Sequence, residues 1–135
     1  MEKQLVLQNK LSEISRLAGF IGSIGQELKL SIELIFNLNL ALEEAVTNVI
    51  FYAYPQNELH LIDIHFESTD DQLKFTLIDS GKAFDPTQIP ETDITLSAEE
   101  REIGGLGIFL VRKLMDTIQY QRVGNKNILT LVKVI

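Results

Sequence analysis

Residues 42 to 48 read Leu42-Glu43-Glu44-Ala45-Val46-Thr47-Asn48, and the apolar positions around them, Ile35, Leu38, Leu42, Ala45, Val46 and Val49, recur at helical spacing. A face this broad belongs to a helix packed on a core. Ser31 is a suitable N-cap, because its hydroxyl can accept an unpaired amide of the first turn. Pro55-Gln56-Asn57 closes the helix after about Tyr54. Glu44 and Asn48 stand four apart, so both side chains leave the same stripe one turn from each other. An amide oxygen is a hard ligand suited to magnesium, and a carboxylate can take a proton from a hydroxyl or orient it. The pair is expected beside the core-facing stripe, not in its centre. Taken alone, a Glu and an Asn so placed more often mark a solvated helix face.

Outward from this helix the pattern changes period. Upstream, Gln4 to Gln8 alternate loosely as a short strand, and Ser12 to Leu30 carry Ile14, Leu17, Ala18, Ile21 and Ile24 at helical spacing. Gly19, Gly22 and Gly25 weaken that helix by about 1 kcal/mol each relative to alanine. Downstream, Leu59 to Ser68 and Gln72 to Asp79 alternate with period two across the turn Thr69-Asp70-Asp71. Ser80 to Ile103 reads as a long loop with at most a short helix. A third helix is expected from Gly105 to Met115, and Thr117 to Val123 and Asn127 to Ile135 form a hairpin through Gly124-Asn125-Lys126. Strand, helix, helix, two strands, loop, helix, two strands predicts an α/β two-layer sandwich, a mixed and mainly antiparallel sheet covered on one face by helices.

The 135 residues are expected to form a single domain over 1–135, with no repeat and no low-complexity tract. There is no cysteine, which excludes disulfides and thiolate metal sites and fits a reducing cytosol. No stretch is expected to supply the roughly twenty apolar residues a bilayer span needs, nor the N-terminus a signal peptide, so a cytoplasmic protein off the membrane is expected. A net charge of −7 argues against direct nucleic-acid binding, which needs clustered Lys and Arg. Any anionic ligand must therefore be met locally, by metal, backbone amides and a few cations.

Two further segments carry chemistry. In Leu77-Ile78-Asp79-Ser80-Gly81-Lys82-Ala83-Phe84-Asp85-Pro86 an apolar strand ends in an aspartate, with a glycine two residues on. That carboxylate can accept the exocyclic amine of adenine, Gly81 allows close backbone approach, and Phe84 offers an apolar wall. Asp-Ser-Gly is equally ordinary turn chemistry. In Gly104-Gly105-Leu106-Gly107, three glycines in four residues open a helix. Exposed first-turn amides and the helix dipole make such a start an anion site, although glycines also serve tight packing.

Taken in order, Glu-x-x-x-Asn on a helix, Asp-x-Gly after a strand and Gly-Gly-Leu-Gly entering a helix resemble the Bergerat-fold (GHKL) ATPases. The wording is most similar to the anti-sigma factor serine/threonine kinases of that superfamily. Their first box resembles Glu43-Glu44-Ala45-Val46-Thr47-Asn48 with Ala53-Tyr54, their second Asp79-x-Gly81-x-x-Phe84-Asp85, and their third Gly104-Gly105-Leu106-Gly107 through Leu114-Met115-Asp116. The resemblance implies ATP and magnesium as cofactors. It makes Asn48 the magnesium ligand, Glu44 the catalytic base and Asp79 the reader of adenine, with Gly81 and Phe84 shaping the base pocket. The amides from Gly104 to Gly107, Leu106 included, would receive phosphate, under a lid from about Thr87 to Ile103 whose only arginine, Arg101, is the candidate for the terminal phosphate. It further implies a phosphoacceptor partner, the anti-sigma factor antagonist, a sigma factor as second partner, and a homodimer.

Tyr52 stands where relatives often carry histidine. Lys82 is equally well a solvated side chain. Alignment by eye places Ile128, not Thr130, near the threonine that relatives use for adenine. His60 and His65, five apart, fall on opposite faces of one expected strand and form no metal pair. Two other readings stand beside the kinase: a non-catalytic, nucleotide-dependent module that sequesters a regulator, and the detached ATPase domain of a sensor histidine kinase. A dimerisation helix bearing a phosphoacceptor histidine is missing from this sequence, which disfavours the last.

Overall fold

The computed structural model describes residues 1–55, 57–88 and 105–135, with only the helical backbone described at 105–107. Its strands are β1 (Glu2–Gln8), β2 (Leu61–Ser68), β3 (Gln72–Asp79), β4 (Thr117–Val123) and β5 (Lys126–Val134), and its helices α1 (Ile14–Glu27), α2 (Ile32–Tyr52) and α3 (Gly105–Leu114). Single 3-10 turns precede α1 and span Pro86–Gln88. The sheet order is β1-β2-β3-β5-β4.

Every neighbouring pair among the described residues is antiparallel, so the parallel part of the expected mixed sheet is not found there. The connections explain why. The α1–α2 excursion is a there-and-back pair, so the chain re-enters the sheet where it left, with Gln8 opposite Leu61. Helix α3 lies on the path of the chain from β3 to β4, two strands of the same direction, but β5 slots between them. Asp79, the last residue of β3, is thereby set opposite Asn127, near the start of β5.

Period-two alternation sends Ile62, Ile64 and Phe66 of β2, and Leu73, Phe75 and Leu77 of β3, to the helix side, where all are buried. They meet Leu17, Ile21 and Ile24 of α1, Leu38, Leu42 and Val46 of α2, and Ile108 and Val111 of α3. The opposite face is uncovered among the described residues and bears Gln4, His65, Lys74 and Thr76. Helix α2 lies between α1 and α3. At 21 residues, with a mean hydropathy of 1.3, it is long and apolar enough to cross a membrane, contrary to the expectation that no stretch is. From Leu38 to Ile50 its apolar face goes instead into the core, between two helices and the sheet, while Ile32 and Phe36 in its first turns are exposed.

The ends of the helices follow from local chemistry. Ser31 caps α2 as expected, its Oγ accepting from Leu34 N at 3.1 Å. Helix α1 closes through Lys29 in the left-handed region (φ 55°), with Leu30 N donating to Gly25 O and Lys29 N to Gln26 O, the double bond of a Schellman turn. Between β4 and β5 the turn is two residues, Gly124-Asn125, with Gly124 at φ 60°. A positive φ at the first turn position only is the type II′ geometry that suits a twisted hairpin.

Candidate functional site

Asn48 is 1% exposed, deeper than its expected place beside the core face. The reason is the crowding on α2, whose buried surface also takes in Ala45, Val49 and Ile50. Neither Oδ1 nor Nδ2 of Asn48 meets a hydrogen-bond partner among the described residues. Leaving a buried amide unmet costs about 1–3 kcal/mol, so the group calls for a ligand in the functional state. An unmet amide oxygen is also the donor chemistry that a magnesium ion accepts.

One turn back on α2, Glu44 is half-buried, and burial pushes its carboxyl above the usual range, with the charge of Glu43 adding to the shift. Desolvation of this kind makes a carboxylate a stronger proton acceptor.

Asp79 is buried at the tip of β3. Its Oδ1 accepts from Gly81 N at 2.9 Å and from Asn127 Nδ2 at 2.8 Å. The expected turn is therefore real, an aspartate closing on the amide two residues ahead, and it coexists with a place in the cavity wall. Asn48, Asp79 and Phe84 line one small cavity together with Ala45, Leu77 and Asn127. Asn48 of the first motif thus meets Asp79 and Phe84 of the second at one cavity, while Glu44 is not among the residues that line it.

The cavity is nearly filled, however. Its volume is about 10 Å³, room for about one water, whereas ligand pockets run to about 300 Å³ and more. Phe84 stacks on Tyr52 with ring centroids 5.0 Å apart, and its backbone amide reaches Asn127 Oδ1 at 3.3 Å. A base enters only with the Phe84 segment displaced. A much larger hollow, about 560 Å³, lies on the other sheet face among Gln4, His65 and Lys74. It is shallow and lacks the three motifs, so the chemistry, not the volume, locates the site.

Gly81 has a reason of its own. A Cβ there would collide with the carbonyl of Ala53, at the C-terminal cap of α2. The neighbouring Lys82 N donates to Ala53 O at 2.9 Å, and Ser80 N donates to Tyr54 Oη at 2.7 Å. The segment after β3 is thus laced to the end of α2, with Gly81 serving that approach.

Helix α3 begins at Gly105, as expected, and packs beside α2 through Ile108 and Val111. Gly105, Leu106 and Gly107 lie in its first turn. Gly104, Arg101 and the expected lid from Ile89 to Ile103 lie outside the described residues. Of the lid only Thr87 and Gln88 are described, and Thr87 O accepts from the Arg112 guanidinium.

Sequence reading missed Asn127. It is 4% exposed and joins five groups. Besides Asp79, its Nδ2 donates to Lys82 O at 2.9 Å. Besides Phe84 N, its Oδ1 accepts from Tyr120 Oη at 2.5 Å and Arg122 Nη1 at 3.1 Å. Its neighbours Ile128 and Thr130 are turned by alternation away from the helices, and Thr130 lines a hollow on the opposite sheet face. An asparagine at an inward position of a strand beginning was the available signal. His60 precedes β2 and stacks on Tyr54, ring centroids 4.2 Å apart, while His65 faces the uncovered side, so the two form no metal pair.

Known proteins place this arrangement. The family model described as "Histidine kinase-like ATPase domain" matches residues 7–133. The chain is 32% identical over 101 residues to serine/threonine-protein kinase BtrW of Bordetella bronchiseptica, covering 75% of this chain and 71% of that one. It is 31% identical over 120 residues to serine-protein kinase RsbW of Listeria monocytogenes, covering 86% of this chain and 75% of that one. Among solved structures, the RsbU and RsbW domains of Rv1364c from Mycobacterium tuberculosis superpose with a TM-score of 0.70 at 12% identity, a likeness of fold. That match takes in 99% of this chain and 32% of the mycobacterial one. With the motif order, the two-layer sandwich and a family match over nearly its whole length in agreement, the chain belongs to the histidine kinase-like ATPase domain family.

Proposed function

We propose that this domain is an ATP-dependent serine/threonine-protein kinase and anti-sigma factor, which phosphorylates an anti-sigma factor antagonist and holds a sigma factor inactive. The observation that carries the reading is Asn48, buried with an unmet amide, one turn from the desolvated carboxylate of Glu44. In this reading Asn48 Oδ1 holds magnesium, which neutralises phosphate charge when bound. Asp79 accepts the exocyclic amine of the base, and the amides that open α3 at Gly105 and Gly107 receive phosphate oxygens. Gly104 is assigned to the phosphates by motif position, and Arg101 as the only arginine of the lid segment.

Transfer forms a bond between the acceptor hydroxyl oxygen and the γ-phosphorus and breaks the bond between that phosphorus and the β,γ-bridging oxygen. Glu44 takes or orients the hydroxyl proton. Positioning and charge neutralisation supply most of the rate in this chemistry, so few side chains are needed. Kinase names among the relatives support the assignment. A cytoplasmic setting and a homodimer complete the proposal.

The test incubates the purified protein with γ-labelled ATP and the antagonist encoded beside it. Label is expected on one serine or threonine, lost in Glu44→Ala while ATP binding persists. A protein that binds ATP yet labels no co-encoded antagonist contradicts the kinase assignment.

A further inference from the structure

We infer that Asn127 is the specificity-determining residue of the base pocket: its carboxamide fixes Asp79 as a hydrogen-bond acceptor and so selects a 6-aminopurine over a 6-ketopurine. The inference rests on the proposed ATP site and adds to it a residue that none of the three motifs contains.

Polarity decides which way the Asn127 amide points. An amide can be turned end for end, and only its partners decide which end is oxygen. Around Asn127 the backbone N–H of Phe84 and the guanidinium of Arg122 can only donate, and both meet Oδ1. The carbonyl of Lys82 can only accept, and it meets Nδ2 at 2.9 Å. Three groups of fixed polarity on three sides leave one orientation. Burial at 4% exposure keeps water from offering an alternative.

Nδ2 must therefore donate to Asp79, and it does so at 2.8 Å on the same Oδ1 that receives Gly81 N at 2.9 Å. Both hydrogen bonds of Asp79 among the described residues fall on that oxygen. Two obligate donors on Oδ1 suit a carboxylate, which accepts and never donates. Oδ2 is left as the acceptor with which Asp79 serves the cavity it lines with Asn127. An acceptor there pairs with the 6-amino group of adenine and repels the 6-keto oxygen of hypoxanthine or guanine. The register that sets Asp79 opposite Asn127 across β3 and β5 makes this a built-in pair.

The test compares ATP with inosine triphosphate, whose base carries a keto oxygen in place of the 6-amino group and a proton on N1, on the full chain by calorimetry. The wild type is expected to bind ATP at least about tenfold more tightly, because a buried acceptor facing a keto group stays unmet. In Asn127→Asp the new carboxylate keeps its outer oxygen on Tyr120 and Arg122 and turns the other toward Asp79. Two carboxylates so close share a proton, and one of them becomes a donor. The ATP preference is then expected to fall to about threefold or less. A residue that only braces the fold would weaken both nucleotides by one factor, so an unchanged ratio overturns the inference. Should Asn127→Asp fail to melt cooperatively, Asn127→Thr serves instead. With the amide donor gone its ratio should lie below the wild-type value, and a ratio equal to wild type again overturns the inference. A wild type that binds ATP without preferring it over inosine triphosphate refutes the inference alone. A wild type that binds neither nucleotide refutes the ATP site on which it rests.

Discussion

Replacing Asn48 by alanine should make the ligand-free protein more stable, the reverse of what truncating a buried side chain usually does. Both polar atoms of the amide lie buried without a partner among the described residues. Removing them recovers about 2 kcal/mol of desolvation. Alanine also exceeds asparagine in helix propensity by about 0.5 kcal/mol at this interior position of α2. Against this, a void of about 40 Å³ costs about 1 kcal/mol. The balance is about 1.5 kcal/mol in favour of the variant, which for a domain of this size raises Tm by about 5 °C. Saturating Mg-ATP, at about a hundred times its Kd, should stabilise the wild type by about 2.7 kcal/mol, or about 9 °C. Lacking the metal ligand, the variant should gain little of that. Differential scanning calorimetry with and without Mg-ATP should therefore show an inversion, Asn48→Ala melting above the wild type alone and below it with nucleotide. A variant that melts lower in both conditions, or one that keeps the full nucleotide shift, refutes the reasoning.

Glu44→Gln should abolish transfer and slightly stabilise the fold near neutral pH. Burial raises the Glu44 carboxyl above its ordinary value of 4.5, so ionisation disfavours the folded state. That penalty is absent below the unfolded value and complete above the raised folded one. With solvent screening allowed for, the gain is about 0.5 kcal/mol, or about 2 °C in Tm, at pH 7 and nothing near pH 4; a variant less stable at pH 7 than at pH 4, relative to wild type, would contradict the sign. Gly81→Ala drives a Cβ into the Ala53 carbonyl and should cost about 2–3 kcal/mol in a melt taken without nucleotide. A neutral Gly81→Ala would mean that the glycine is held for the ligand instead.

Much of the fold was legible because it rests on local patterns. Gln72 to Asp79 alternates cleanly and is β3 to the residue, and Ser31 announced the start of α2 through hydroxyl chemistry alone. The end of α1 was not legible. A lysine in the left-handed region at position 29 follows no sequence rule, and the Schellman bonds hold it there. Nor could spacing reveal that β5 enters between β3 and β4, since pairing is decided by contacts distant along the chain.

In the candidate site, Glu44, Asn48 and Asp79 could be named from the sequence because the motif chemistry is local. The burial of Asn48 was underestimated because a helical wheel shows one face and not how many neighbours pack on the helix. Asn127 escaped notice because its role exists only through the register that brings it to Asp79. Gly81 was assigned to the ligand, yet its nearest constraint is Ala53, 28 residues earlier in the chain, a contact that no linear pattern records.

A co-crystal structure with magnesium and a non-hydrolysable ATP analogue tests the site most directly. Asn48 Oδ1 should lie about 2.1 Å from the metal, the exocyclic amine of the base should rest on Asp79, and Phe84 should have moved away from the cavity it now fills. A nucleotide bound on the uncovered sheet face between Gln4, His65 and Lys74, with the Asn48 cavity still closed, would contradict the account.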